Sequence, residues 1–140
     1  MPPNPHTGEG FDAPRPADAY ADAPELRREM REVLALGAEH DSCRAGAVTG
    51  PPAADAAAAA ERVLLLRRAA LMDRLAIDDP APGAVGAARR TAQQFAQHDL
   101  RYPEQVAGPH GPNSIEWDPS RRPYVRQEYA AWTAAGRPGA

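Results

Sequence analysis

The chain has 140 residues and a formal net charge of −3 at pH 7, and all 16 of its basic residues are arginine because it contains no lysine. The length suits one domain, and the absence of lysine excludes Schiff-base chemistry and Walker-type nucleotide hydrolysis. Alanine supplies 31 residues, whereas Leu, Ile, Val and Phe together supply only 19, too few for the core of a large enzyme. The single cysteine, Cys43, excludes a disulfide scaffold.

Residues 1–21 are predicted to be a disordered tail. The segment is rich in Pro, Ala and Asp, and apart from Met1 it has no aliphatic residue larger than alanine. Such a composition buries too little apolar surface to offset the entropy lost on ordering. We therefore expect a single helical domain over residues 22–136, with residues 137–140 forming a free C-terminus.

The first helix of this domain is predicted over about residues 23–38. Asp22 is a suitable N-cap residue, and Leu26, Met30 and Val33 recur with the spacing of one helical face. The stretch 39–50 that follows is polar and contains glycine, so it is predicted to be a loop.

The two central helices are predicted over about residues 52–77 and 82–100. The first of them starts in an Ala-rich stretch of high helix propensity and carries apolar residues on several sides, which is typical of a helix with more than one neighbour. Between the two helices, the sequence from Asp78 to Pro82 contains two prolines, which favour an end to one helix and the start of the next. A connection this short predicts an antiparallel hairpin.

The last helix is predicted over about residues 121–135, with Ser120 as its N-cap. The preceding connection, 102–120, is too rich in proline for a regular element, and Ile115 and Trp117 predict that it packs against the domain. No segment shows the alternating pattern of a strand. The predicted fold class is therefore all-α: a small bundle built on an antiparallel helix hairpin with flanking N- and C-terminal helices.

Catalytic and metal-binding motifs are weak in this sequence. His98-Asp99 resembles the metal-binding doublet of metal-dependent phosphohydrolases, but the resemblance covers two residues and the further ligands have no counterpart. With His110, the doublet defines one alternative, in which the chain is a small enzyme or an accessory subunit. A loop trio also lacks the paired spacing of a zinc site; its members are His40, Asp41 and Cys43. We predict no catalytic residue, no metal site and no cofactor.

Two sets of side chains are candidate binding residues. Aromatic residues are favoured at interface hot spots, and the candidate partner-binding residues are Trp117, Tyr124, Tyr129 and Trp132. Arginines that meet across the hairpin would bind an anion, and the candidates are Arg67, Arg68, Arg89 and Arg90. The competing interpretation is that the aromatic residues form a small core and the arginines solvate helix faces.

The weakness of the catalytic and metal-binding motifs and the apolar residues on several sides of the helix predicted over 52–77 favour one function. They predict a non-enzymatic protein–protein interaction or accessory module, with a protein partner or self-association. The alternative is a phosphate- or nucleic-acid-binding regulator that uses the hairpin arginines. Nucleic acid is the less favoured ligand because residues 24–140 hold 15 acidic residues against 15 arginines. No apolar run approaches the roughly 20 residues of a membrane span, and no secretory signal is visible. We therefore expect a cytoplasmic protein.

Overall fold

A computed structural model describes residues 2–45, 54–117 and 120–140, and no strand occurs in these ranges. The predicted all-α class is confirmed. The helices are α1 (Pro16–Ala19), α2 (Leu26–Ala45), α3 (Ala54–Asp78), α4 (Pro82–Arg101) and α5 (Arg122–Ala134), with 3₁₀ turns at Pro103–Gln105 and Ile115–Trp117. None of the helices in the described ranges has the length and apolarity needed to cross a membrane.

Helices α3 and α4 form the predicted antiparallel hairpin, which is the most extensively packed pair in the fold. Alanines fill much of the contact, because a small side chain lets two helix backbones approach closely. The buried alanines of the two helices are Ala58, Ala69, Ala70 and Ala76 on α3 and Ala88, Ala92 and Ala96 on α4. The Ala-rich composition therefore allows the close approach of α3 and α4 in the hairpin.

Helix α5 closes the core against the hairpin. Tyr124 and Tyr129 of α5 are buried with Leu66 of α3 and Phe95 of α4, and Trp117 joins them from the preceding 3₁₀ turn. The prediction that the connection 102–120 packs down through Trp117 agrees with this arrangement, since its side chain is fully buried. Ile115 is 86% exposed, so it does not anchor the connection.

Helix α2 differs from its predicted limits at both ends. It begins at Leu26 because the Glu25 carboxylate accepts hydrogen bonds from the backbone N–H groups of Arg27 and Arg28, both at 3.1 Å. It continues through Gly37 to Ala45. Residues 39–45, predicted as loop, are therefore helical, and the rest of that loop and the predicted start of the next helix lie outside the described residues.

The N-terminal segment takes a defined path, which differs from the disorder expected of residues 1–21. Phe11, Ala13 and Tyr20 pack against the core. The ring of Tyr20 meets Tyr129 edge to face, with centroids 5.2 Å apart, and its hydroxyl donates to Asp73 at 2.6 Å. The expectation considered aliphatic residues alone, whereas two aromatic residues supply the buried surface here.

The last four residues also contact the domain, although they were expected to be free. The indole Nε1 of Trp132 donates to the carbonyl oxygen of Pro138 at 3.0 Å. Gly136 has a φ of +88°, which ends α5 in the left-handed conformation that glycine adopts without strain. The turn directs the chain back over the aromatic end of α5.

Candidate functional site

Buried charges on α3 join that helix to its neighbours. Three of its paired side chains are Arg62, Arg67 and Asp73. Arg62 binds residues of α4 and α5, Arg67 binds residues of α2, and Asp73 binds residues of α5. Their partners are largely buried, so the charges are compensated inside the fold rather than in water. Such pairs specify how helices sit against one another, because an uncompensated buried charge is costly.

Asp73 is the meeting point of two arginines. Its carboxylate accepts from Arg122 Nε at 2.6 Å and from Arg126 Nε at 2.8 Å and Nη2 at 2.9 Å. All three side chains are at most 3% exposed. One carboxylate thus faces two guanidinium groups, which leaves a formal excess of one positive charge at this place.

Arg62 has the opposite arrangement, with two carboxylates around one guanidinium. It donates to Asp99 at 2.7 and 2.9 Å and to Glu128 at 2.8 Å. Glu128 also accepts from the backbone N–H groups of Ala107 and Gly108, at 2.8 and 2.7 Å. This network fixes the connection after α4 onto α5.

A cavity of about 300 Å³ lies where α2, α3 and the end of α5 meet, and we call it the Tyr129 pocket. Aromatic and charged side chains dominate its wall. The lining residues are Pro24, Arg28, Glu29, Glu32, Arg67, Tyr129, Trp132, Arg137 and Ala140. The charged side chains among them are three arginines and two glutamates.

Two buried polar atoms of the Tyr129 pocket have no hydrogen-bond partner within the described part of the chain: the Tyr129 hydroxyl and Arg67 Nε. The Arg67 side chain is 9% exposed, and its Nη2 already donates to Glu29 and, at 2.7 Å, to Glu32. Burial raises the pKa of the Tyr129 hydroxyl, so that group is a neutral donor near pH 7. Two residues that line the pocket therefore each carry a buried donor without an acceptor, Tyr129 O–H and Arg67 Nε–H.

Arg137 is held in an unusual backbone conformation at the edge of this pocket. Its φ of 55° lies in the left-handed region, which is uncommon for a residue other than glycine. The guanidinium carbon lies 6.0 Å from the ring centroids of both Tyr129 and Trp132, within reach of a cation–π attraction. Backbone strain of this kind tends to occur at ligand sites.

The four aromatic residues predicted to bind a partner are buried in the chain itself. Trp117 and Tyr124 are fully enclosed, with Trp117 Nε1 donating to Gly111 at 2.7 Å and Tyr124 O–H donating to Asp99 at 2.6 Å. Those two residues therefore belong to the core. Tyr129 and Trp132 also pack in the core, but in addition they line the Tyr129 pocket.

The four arginines predicted to form an anion site do not share one pocket. Arg67 lines the Tyr129 pocket and pairs with glutamates. Arg68 lines a cavity beside the end of α4, and Arg89 lines a third cavity near the start of α4. Arg90 is exposed on α4. The predicted cluster across the hairpin is thus divided among separate places.

The His98, Asp99 and His110 side chains have different partners. His98 Nε2 lies 3.2 Å from Gln105 Oε1, and His110 Nε2 lies 2.7 Å from Asp12 Oδ2. The carboxylate of Asp99 binds Arg62. Within the described ranges, no group of three or more His, Cys, Asp or Glu side chains is placed to hold a metal ion. The Cys43 side chain lies outside what the structure describes.

Sequence reasoning missed the residues of the buried charge networks. One of these networks left a signal in the sequence. Arg122 and Arg126 are four residues apart, so they lie on one face of the last helix, together with the apolar residues Val125 and Tyr129. Their shared partner, Asp73, lies about fifty positions earlier, and no local pattern connects the two. Arg137 gave no signal either, because its role depends on the turn at Gly136.

No protein-family model, curated protein or solved structure matches the chain. Its large exposed apolar residues are scattered over α2, the end of α4 and a 3₁₀ turn; among the described residues they are Met30, Leu34, Leu100 and Ile115.

Proposed function

We propose that this chain is a non-enzymatic protein-interaction module, and that its Tyr129 pocket receives an acidic side chain of a protein partner. One observation carries the proposal: Tyr129 and Arg67 line the same pocket, and the hydroxyl of the one and Nε of the other are buried without a partner within the described residues. A buried donor without an acceptor is costly. A carboxylate from outside would satisfy both donors.

The guanidinium groups of the pocket support an acidic ligand. Arg28 and Arg67 pair with Glu29 or Glu32, whereas Arg137 has no carboxylate partner within the described residues. A carboxylate of the partner would give the Arg137 guanidinium a counter-charge in surroundings where Coulomb attraction is stronger than in water.

The size and composition of the pocket support a protein partner. A volume of about 300 Å³ is at the lower end of the range for small-molecule sites and suits an inserted side chain. Trp, Tyr and Arg are the residues most enriched at interface hot spots. Trp132, Tyr129 and Arg137 stand together at this position, with the Arg137 guanidinium 6.0 Å from each ring centroid.

Selection from a phage-displayed random peptide library on the immobilised full chain tests this proposal. Peptides that share an Asp or Glu at one position are expected, and their affinity should fall about tenfold for Tyr129→Phe, which removes the hydroxyl and keeps the ring. Tyr102→Phe is the matched control, because Tyr102 is only partly buried, directly follows α4 and does not line the Tyr129 pocket.

Two results would contradict the proposal. One is the absence of an acidic consensus among the selected peptides, including the absence of any enrichment. The other is equal affinity of the selected peptides for the native chain and for Tyr129→Phe. Because the substitution removes an unpartnered hydroxyl, the fold is expected to survive it, so weaker binding would report on the pocket.

A further inference from the structure

A second cavity, of about 400 Å³, lies between the starts of α4 and α5 and is closed on one side by the N-terminal segment. We call it the Arg122 pocket. Its lining residues are Asn4, Pro5, His6, Pro80, Val85, Arg89, Ser120 and Arg122. It shares no lining residue with the Tyr129 pocket, so the two are separate cavities.

The Arg122 pocket contains a buried cation with a spare donor. The Arg122 side chain is 3% exposed, and its Nε donates to Asp73. Its Nη2 has no hydrogen-bond partner in the described ranges, and the same holds for Nδ1 of His6. Both residues line this cavity, which gives it two unpartnered buried nitrogen atoms.

The local charge is positive. Asp73 neutralises only one of the two arginines that bind it, Arg122 and Arg126, which leaves an excess of +1. Arg89 adds a second positive charge, and none of the described residues that line the cavity is acidic. The start of α5 contributes the partial positive charge of a helix N-terminus. The site therefore suits a ligand with close to two negative charges.

Part of the cavity wall is apolar. It is formed by Pro5, Pro80 and Val85. An anion alone would leave this wall without contacts, whereas an anion attached to a small apolar body would cover it. A phosphate monoester carries a charge of roughly −1.5 to −2 at pH 7, which matches the excess positive charge, and its several oxygen acceptors suit convergent donors.

We propose that the Arg122 pocket binds a small phosphate monoester, with the phosphate at Arg122 and Arg89 and an apolar body against Pro5, Pro80 and Val85. Ser120 and His6 stand beside the phosphate position and offer a hydroxyl and an imidazole nitrogen. This inference goes beyond the protein-interaction function proposed above, since it assigns a small-molecule ligand to a separate site.

Isothermal titration of the full chain with phenyl phosphate, inorganic phosphate and benzoate tests the proposal. Phenyl phosphate is expected to bind about tenfold more tightly than inorganic phosphate, because its ring covers the apolar wall. Benzoate, with a single charge, is expected to bind more weakly than phenyl phosphate. Arg89→Gln should weaken phenyl phosphate binding about tenfold.

Arg90→Gln is the matched control for Arg89→Gln. The two residues are neighbours on α4, both are exposed, and each change removes one positive charge, but only Arg89 lines the cavity. Val85→Thr keeps the shape of the wall and lowers its apolarity. It should weaken phenyl phosphate binding and leave inorganic phosphate binding unchanged.

Three results would overturn the proposal. The first is the absence of phenyl phosphate binding at millimolar concentration. The second is an equal loss of affinity in Arg89→Gln and Arg90→Gln, which would indicate nonspecific attraction to the charge of the chain. The third is benzoate binding as tight as phenyl phosphate binding, which would indicate a carboxylate site. Thermal unfolding followed by circular dichroism checks that each variant is folded.

Discussion

Arg126 donates two hydrogen bonds to the carboxylate of Asp73, from Nε at 2.8 Å and from Nη2 at 2.9 Å, across the contact between α5 and α3. The same carboxylate accepts from Arg122 and from the hydroxyl of Tyr20. A single side chain of α3 therefore orders the last helix and the N-terminal segment together. The stability of the domain is expected to depend strongly on this carboxylate.

Asp73→Asn is expected to lower the free energy of unfolding by about 3–5 kcal/mol, because it leaves two buried guanidinium groups without a counter-charge. Urea unfolding followed by circular dichroism measures the change. Asp78→Asn serves as the control, since Asp78 is exposed at the C-terminal end of α3, where a negative charge opposes the helix dipole. Equal effects of the two changes would contradict the importance of the buried carboxylate.

Tyr124→Phe and Tyr129→Phe remove the same hydroxyl group from one helix with different expected results. Tyr124 donates to the buried carboxylate of Asp99 at 2.6 Å, so its loss should cost about 1.5–3 kcal/mol. The Tyr129 hydroxyl has no partner among the described residues, so its loss should be neutral or slightly stabilising. Denaturant midpoints of the two variants give the comparison, and a loss of equal size in both would contradict it.

Gly108→Ala is expected to destabilise the fold by about 1–3 kcal/mol through a steric clash. A Cβ atom at Gly108 would overlap the side chain of Gln127, while the backbone N–H of Gly108 is held by Glu128 at 2.7 Å. Gly111→Ala is the control, because a Cβ atom there meets nothing within 4 Å. Thermal unfolding of both variants should show a lower Tm for Gly108→Ala alone.

Alkaline pH is expected to unfold the protein through its tyrosines. Burial raises the pKa of the hydroxyl groups of Tyr20, Tyr124 and Tyr129. Contact with the carboxylate of Asp73 raises the pKa of Tyr20 further, and contact with Asp99 does the same for Tyr124. Above about pH 10 the unfolded chain loses these protons and the folded chain keeps them. The contribution of these tyrosines to the free energy of unfolding is therefore constant below that pH and falls above it.

The slope of this fall is at most about 1.4 kcal/mol per pH unit for each tyrosine with a raised pKa. Urea unfolding over a pH series measures it. Tyr124→Phe removes one titrating group and should give a shallower slope. A slope that the substitution leaves unchanged would show that other groups control the alkaline transition.

Tyr20→Ala tests whether the N-terminal segment is part of the folded domain. The ring packs edge to face on Tyr129, and the hydroxyl binds Asp73. Losing both contacts should cost about 2 kcal/mol, less than for a fully buried aromatic residue because Tyr20 is only partly covered. Hydrogen exchange should in addition protect the Tyr20 amide, which donates to Pro16 at 3.0 Å. An unchanged stability would agree instead with the disorder expected from composition.

The sequence determined the local elements of this protein. Alanine runs, proline punctuation and apolar spacing predicted the α3–α4 hairpin and the final helix close to their observed limits, because helix propensity and chain termination are properties of neighbouring residues. Composition predicted disorder for residues 1–21, and Tyr20→Ala would test that prediction. The path of this segment in the structure depends on Tyr20 contacting Tyr129 and Asp73, which lie far away in the chain.

Only the tertiary structure decided which residues line the two proposed binding pockets. The sequence singled out Arg67, Tyr129 and Arg89 and predicted that the two arginines belong to one cluster. In the structure Arg67 lines one pocket and Arg89 lines another. A side chain becomes a binding group when burial leaves it without a partner, as for Arg122 Nη2 within the described residues. That condition depends on contacts between segments distant in sequence, which no local pattern records.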